Sequence, residues 1–254
     1  MYFIYGILTN IIFLLSPLII IFRILKRKED PKRFLEKFTI YSKKRKKGKL
    51  IWFHAVSVGE LLSIVPLIDI LEKNKKISQI LLTTPTLTSA NLFKKFKFIK
   101  TTHQFFPIDS NFFANRFLNY WQPRLAIFVD SEIWPNMFKN LKDNNIPVIL
   151  LNARITKKSF RRWSLIKNFS KSVFKNISLA LPSNIETKNF LKKLGVNNIK
   201  FIGNLKYYGL SRIKDKDIKF LKKKFQNFNI WCAASTHEGE EIFISNLHKN
   251  IKKK

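Results

Sequence analysis

The segment at residues 54–60, HAVSVGE, holds three residues suited to chemistry directly after a short apolar run. Glu60 would lie in the first turn of a helix, where the helix dipole favours the ionised carboxylate. An ionised carboxylate at the mouth of a site can act as a general base toward a hydroxyl group. Ser57 can cap the helix or bind substrate, and Gly59 lets a ligand approach the backbone. The alternative interpretation is capping alone, because Glu is common in first helical turns.

A second polar segment, DSEIWPN at residues 130–136, also follows an apolar run. The carboxylates of Asp130 and Glu132 could orient a sugar hydroxyl, and the ring of Trp134 could stack on a sugar face. Alternatively, Asp130 or Ser131 is the N-cap of the next helix, with Glu132 in its first turn.

Three further segments place polar residues after apolar runs. Arg154 is suited to binding a carboxylate or phosphate. Lys206 could stabilise developing negative charge. Ser235 and Thr236 begin the run STHEGEE at residues 235–241, which is either part of a binding site or an extended capping box.

These polar segments all sit where predicted strands end. After Lys49, seven short apolar runs alternate with helix-length amphipathic segments, a pattern typical of a parallel sheet covered by helices on both faces. Such sheets bind ligands beyond the C-terminal ends of their strands. The predicted strands begin at Leu50, Gln79, His103, Leu125, Pro147, Ser178 and Ile199, and the predicted helices include residues 61–74, 111–121, 137–144 and 159–176.

The N-terminus predicts a membrane anchor. Residues 1–22 carry no charge and would extend roughly 30 Å as a helix, enough for a bilayer core. They lack the basic region and cleavage site of a signal peptide, so we expect the anchor to be retained. Residues 23–49 hold 13 Lys or Arg and 3 acids, a net charge of +10 (13 − 3). A positive flank stays cytoplasmic and attracts anionic headgroups.

The pattern divides the chain into four parts. The last part contains a helix at 215–227, a predicted strand at 229–235 and a second helix after Thr236, too little to form a sheet alone. We predict a membrane anchor (1–22), a basic juxtamembrane segment (23–49), a Rossmann-like acceptor-binding domain (50–210) and the start of a second, incomplete Rossmann-like domain (211–254).

Composition restricts the possible partners. With 48 Lys and Arg against 16 acids, the net charge is +32, while 46% hydrophobic residues exclude a disordered basic tail. The lysines are scattered rather than clustered, so we expect an anionic membrane surface as a partner and no nucleic acid. The single cysteine, Cys232, excludes a disulfide framework, and no two of the four His residues are spaced i, i+4, so we expect no metal site.

Taken in order, HAVSVGE, TTPTLTS, SEIWPN, NARIT, GNLK and STHEGEE resemble segments of the bacterial 3-deoxy-D-manno-octulosonic acid (Kdo) transferases, as does KRKEDPKRFLEKF after the anchor. The resemblance covers the whole chain. It implies a GT-B glycosyltransferase whose two Rossmann-like domains face a cleft. It also implies transfer of Kdo from CMP-Kdo to a glucosamine hydroxyl of the lipid A precursor (lipid IVA) at the cytoplasmic face of the inner membrane, without a metal or cofactor.

The resemblance also implies residue roles. The general base of the family falls on Glu60, and two positions that stabilise the transition state fall on Asp130 and Lys206. The family usually has Glu at the position of Asp130, while Glu132 keeps its second acid. The loop at residues 83–89 reads TTPTLTS, whereas the family has TTMTPTG. The Pro therefore stands at a different position, and the final Gly is replaced by Ser.

The family extends beyond STHEGEE into further nucleotide-contacting segments. We therefore expect the 254 residues to bind CMP-Kdo poorly on their own. Two alternatives remain: a membrane-anchored basic scaffold that binds anionic lipid or nucleic acid, and a GT-B transferase with another acceptor.

Overall fold

A six-stranded parallel sheet lies at the centre of the first of two units. The structure, a computed structural model, describes residues 2–205 and 215–252 and divides into residues 1–209 and 210–254. The strands are β1 (Leu50–His54), β2 (Gln79–Thr84), β3 (Thr101–Phe105), β4 (Leu125–Val129), β5 (Val148–Ala153) and β6 (Leu179–Pro182). The helices of this unit are α1 (Tyr2–Leu25), α2 (Val58–Glu72), α3 (Leu87–Phe93), α4 (Asn111–Trp121), α5 (Pro135–Asp143), α6 (Lys157–Leu165), α7 (Lys167–Phe174) and α8 (Ile185–Leu194).

The strand order is β3-β2-β1-β4-β5-β6. Every pair is parallel, and Trp52 of β1 lies opposite Leu81 of β2 and Ala126 of β4. The chain thus builds outward from β1 on one side and then returns to build from β4 on the other. This order is the Rossmann order, and its switch point lies between β1 and β4. The predicted parallel α/β sheet is confirmed.

Helices bury both faces of the sheet, which explains why its strands are continuously apolar. On one face, the ring of Trp52 lies 4.8 Å from that of Phe117 in α4, and the ring of Phe128 lies 4.9 Å from that of Phe138 in α5. All four side chains are fully buried. The opposite face packs mainly against aliphatic side chains of α2.

Helix α1 lies along the first unit. Its Tyr2 and Tyr5 rings are 5.0 and 5.8 Å from the ring of Phe169 in α7, and Phe13 lies 5.1 Å from Phe113 in α4. The seam continues at intervals of three or four residues through the buried Thr9, Ser16 and Ile20. Within the described ranges, α1 is the one helix long and apolar enough to cross a membrane, with 17% of its apolar window buried.

The basic segment after α1 folds onto the β3 edge of the sheet. The buried Glu36 carboxylate accepts two hydrogen bonds of 2.8 Å from Arg33 and one of 2.9 Å from a backbone N–H of β3. The buried Glu29 carboxylate pairs with Arg23 at 3.1 Å and with Lys37 at 2.5 Å. Some of the basic residues at 23–49 therefore form ion pairs within the protein and do not contribute free positive charge.

Two predicted elements of the first unit are wrong. No strand forms at residues 199–204, where Ile199 makes one isolated bridge to Ala180 and Gly203 is left-handed (φ 87°). The predicted helix at 159–176 is two helices, because the backbone at Ile166 (φ −114°, ψ 50°) interrupts the hydrogen-bond ladder.

The described residues of the second unit hold two helices, α9 (Asp215–Lys224) and α10 (Glu240–Lys252). The strand predicted at 229–235 is also wrong, since the unit offers no described strand with which it could pair. The functions assigned to 50–210 and 211–254 stay predictions.

Candidate active site

The switch point brings together the two acidic segments found in the sequence. Ser57 lies in the loop after β1, Gly59 and Glu60 lie in the first turn of α2 that follows it, and the loop after the adjacent β4 carries Asp130 and Glu132. The two strands run parallel, so both loops leave the same edge of the sheet. This edge is our candidate active site.

Ser57 and Glu60 form a reciprocal cap at the start of α2. The backbone N–H of Glu60 donates to Ser57 Oγ at 3.2 Å, while Ser57 Oγ donates to Glu60 Oε1 at 2.9 Å. The backbone N–H of Val56 donates to Glu60 Oε2 at 2.8 Å. The capping interpretation is therefore correct for both residues.

Capping does not remove the basicity of Glu60. Burial raises the pKa of its carboxyl, and the nearby charges of Glu132 and Asp130 raise it further, against the hydrogen bonds from Val56 and Ser57. A carboxylate with a raised pKa is a stronger base, and half-burial leaves it accessible. The geometry supports the capping and the catalytic interpretations together.

Glu132 is fixed by an aromatic neighbour. The indole N–H of Trp134 donates to Glu132 Oε2 at 3.0 Å, and the Trp134 ring lies 4.9 Å from that of Phe106. His54 Nε2 is 3.8 Å from the same Glu132 oxygen. Trp134 therefore holds the carboxylate while its own ring is held by packing.

His54 was not among the predicted site residues, although it begins the HAVSVGE segment. Its ring is fully buried, and its Nδ1 lies 2.9 Å from Thr83 Oγ1, which also accepts from the indole of Trp52 at 2.8 Å. Burial lowers the His54 pKa and favours the neutral ring. Its Nε2 has no hydrogen-bond partner within the described residues and faces Glu132. The signal in the sequence was its place at the C-terminal end of a buried strand.

Asp130 directly follows β4 in a left-handed backbone conformation (φ 63°) and is buried. It does not cap the following helix, and neither does Ser131, because α5 begins only at Pro135 after Trp134. That predicted N-cap is wrong.

The cap of α5 comes from Asp109, which precedes α4. Its carboxylate accepts from the backbone N–H groups of Asn136 (3.3 Å) and Met137 (2.8 Å) and from Tyr5 of α1 (2.8 Å). Burial raises the Asp109 pKa to about 6. This role was not predicted, because the neighbouring Ser110 is itself the N-cap of α4 and accounts for a polar residue at this position.

Four other predicted site residues lie in other parts of the chain. Arg154 follows β5 and its side chain is exposed. Ser235 and Thr236 belong to the second unit, where Thr236 Oγ1 donates to Glu241 Oε1 at 2.7 Å. Lys206 lies outside the described residues. The roles of these four residues stay predictions.

The polar side chains near the switch point are suited to binding hydroxyl groups rather than a metal ion. Within residues 2–205 and 215–252, no group of three or more His, Cys, Asp or Glu side chains could hold a metal ion. The carboxylates of Glu60 and Glu132 are acceptors that a sugar hydroxyl can satisfy.

Comparison with known proteins matches the first unit to one family. The family model described as 3-deoxy-D-manno-octulosonic-acid transferase (kdotransferase) matches residues 32–208. A 3-deoxy-D-manno-octulosonic acid transferase of Rickettsia bellii is 34% identical over 245 residues, which are 95% of this chain and 58% of that protein. One of Haemophilus influenzae is 32% identical over 255 residues, 96% of this chain and 59% of that protein. The chain thus spans less than two thirds of these relatives.

Two solved structures are similar to part of the chain. The UDP-GlcNAc 2-epimerase of Neisseria meningitidis bound to UDP-GlcNAc has a TM-score of 0.48 and 14% identity, covering 70% of this chain and 54% of that chain. The S. aureus MnaA-UDP co-structure has a TM-score of 0.49 and 14% identity, covering 70% of this chain and 50% of that chain.

Proposed function

Because the chain belongs to the 3-deoxy-D-manno-octulosonic acid (Kdo) transferase family of glycosyltransferases, we propose that it transfers Kdo from CMP-Kdo to a glucosamine hydroxyl of the lipid A precursor. The observation that carries this proposal is the Glu60 carboxylate, half-buried at the switch point and raised in pKa by burial and by two neighbouring acids. Sugar transfer to a hydroxyl needs a base of this kind.

In the proposed reaction, Glu60 removes the proton of the acceptor hydroxyl. The hydroxyl oxygen then forms a bond to the anomeric carbon of Kdo, and the bond from that carbon to the phosphate oxygen of CMP breaks. CMP leaves with the electron pair, and the proton stays on Glu60. Lys206 and Asp130 stabilise charge in the transition state, and the step uses no metal or cofactor.

Other residues orient the substrates. The Glu132 carboxylate is partly exposed, so a hydroxyl group bound beside it can donate to it. Ser57 and Gly59 contact the acceptor beside the base. Arg154 binds an anionic group, and Ser235 and Thr236 contact CMP-Kdo.

We place the protein at the cytoplasmic face of the inner membrane, with α1 lying in the plane of the membrane surface. One side of α1 is packed on the first unit from Tyr2 to Ile20. Its other side exposes apolar residues, among them Leu14 and Leu18 at 77% and 68%. A helix held along its length in this way can insert its exposed apolar side into the membrane surface without crossing the bilayer.

The test is transfer by the full-length protein in detergent micelles. CMP-Kdo and the lipid A precursor are the substrates, and mass spectrometry identifies the product. We expect one or more Kdo units added to the precursor and release of one CMP for each. Products formed only with a different acceptor, or no CMP release, would overturn the proposed function.

A further inference from the structure

A basic cavity of about 700 Å³ opens between the C-terminal end of α1 and the loop that follows β2. Arg23, Arg27, Lys28 and Lys95 line it together with the hydroxyl group of Thr88, and no acidic side chain is among its lining residues. A cavity lined by four cations and a hydroxyl is suited to an oxyanion.

Three of the four cations are available to a ligand. Arg27, Lys28 and Lys95 are exposed and make no ion pair with the described part of the chain. Arg23 is shared, since it also donates to Glu29 at 3.1 Å and to the backbone carbonyl of Lys28 at 3.2 Å. The cavity therefore has a net positive charge that the described protein does not neutralise.

Arg27 has a backbone conformation that favours glycine. Its φ is 53°, and its N–H donates to the carbonyl of Ile24 while the N–H of Lys28 donates to that of Arg23, closing the end of α1. A left-handed residue that is not glycine costs about 1 kcal/mol. Glycine would adopt this conformation without that cost, so Arg27 can be replaced by glycine without loss of the helix end.

The cavity adjoins the loop that carries Glu60. Val58, two residues before the proposed base, lines the cavity in the first turn of α2. The hydroxyl groups of Thr86 and Ser89 donate to the carbonyl of Val56 at 3.4 and 3.1 Å and so tie the loop after β2 to the loop after β1. The cavity and the proposed base therefore share the first turn of α2.

We propose that this cavity is a subsite for a phosphomonoester group of the acceptor glycolipid, an inference that rests on the proposed function. The apolar Phe22 and Leu25 of α1 are exposed beside the basic residues, so the occupant carries acyl chains next to its anionic group. The cavity is larger than a phosphate group alone, which leaves room for the sugar that bears it.

The experiment measures binding of the full chain to phosphatidylcholine vesicles with one added lipid. The additions are the bis-phosphorylated lipid A precursor, the same precursor after enzymatic removal of its phosphates, and phosphatidic acid. We expect Arg27→Gly to weaken binding to the phosphorylated precursor by about tenfold. Its melting temperature should stay equal or rise, because Gly removes the strain.

The matched control is Lys26→Gln, which removes one charge from the adjacent residue. Lys26 lies over the ring of Phe22, 4.3 Å from its centroid, and does not line the cavity. We expect it to leave the affinity for the phosphorylated precursor within about twofold of the original.

Three results would overturn the subsite. Equal affinity for the phosphorylated and dephosphorylated precursors would refute phosphate recognition while leaving the proposed acceptor in place. An equal loss of binding to phosphatidic acid in Arg27→Gly would assign the cavity to membrane headgroups. No binding of either precursor would refute the proposed acceptor as well.

Discussion

Burial raises the pKa of the Glu60 carboxyl, two hydrogen bonds lower it, and the nearby charges of Glu132 and Asp130 raise it further. A general base works only when deprotonated, so the transfer rate should fall as pH drops through the pKa of Glu60. Ser57→Ala removes a donor to this carboxylate, and the pKa should rise. We expect the acidic limb of the kcat/KM profile to move to higher pH in this variant. An unchanged limb would show that another group limits the rate.

Glu60→Gln keeps the shape of the side chain but cannot accept a proton. We expect transfer to fall by at least about 10²-fold with no loss of folded protein, measured as product formed and as the circular dichroism spectrum. Glu186→Gln is the matched control, because Glu186 also lies in a first helical turn, that of α8, but is exposed and paired with Lys157 at 3.7 Å. A similar loss of transfer activity in both variants would show that Glu60 is not the general base.

Asp109 predicts a pH dependence of stability. Burial raises its pKa to about 6 from an ordinary value of 3.8, so the folded state binds the proton more tightly than the unfolded state does. The contribution of Asp109 to the free energy of unfolding should therefore decrease as pH rises from about 4 to about 6. Asp109→Asn should abolish this slope in urea unfolding between these pH values. A slope that persists would place its origin in other groups.

At the scale of the elements, substitution of Gly59 at the N-terminus of α2 can test whether a ligand approaches the backbone there. A Cβ atom at Gly59 would meet no atom nearer than Ser57 Oγ at 4.0 Å, and its φ is not left-handed. Gly59→Ala should therefore stabilise the protein by about 0.5–1 kcal/mol. We expect it to lower the transfer rate, because the methyl group enters the space left for the acceptor. Gly6→Ala in α1, also in open space, is the control and should leave the rate unchanged.

The strands that the sequence predicted best are those buried on both faces. β1, β2 and β4 begin at the residues predicted for them, Leu50, Gln79 and Leu125, because a continuous apolar run needs burial on both sides. The run at 229–235 has no described strand beside it, and the run at 199–204 pairs with the edge strand β6 only through the single bridge between Ile199 and Ala180. Local pattern specifies a candidate strand, and only the sheet decides whether it forms.

The candidate site was predictable where its residues follow strands in the sequence. Ser57, Glu60, Asp130 and Glu132 all lie at strand ends, and the order of the sheet places them together. Asp109 could not be found in this way, since it caps a helix that begins 26 residues later. Its partner depends on how α4 packs on α5, which no local pattern records.

At the scale of the whole molecule, the net charge of +32 has more than one use. Arg33 and Lys37 neutralise buried carboxylates and hold the segment after α1 on the sheet. Arg27, Lys28 and Lys95 stay exposed around the basic cavity. The positive charge near the C-terminal end of α1 is therefore partly structural and partly open to anionic ligands.

The exposed face of α1 predicts how the protein binds membranes. Leu14 and Leu18 lie one turn apart on this face, so Leu14→Glu combined with Leu18→Glu should abolish flotation with phosphatidylglycerol-containing vesicles, while the first unit stays folded. Leu165→Glu, at an 84% exposed apolar residue of α6, is the control and should still float. An in-plane helix also predicts extraction of the protein by alkaline carbonate. Resistance to extraction would show that α1 detaches from the rest of the first unit and crosses the bilayer.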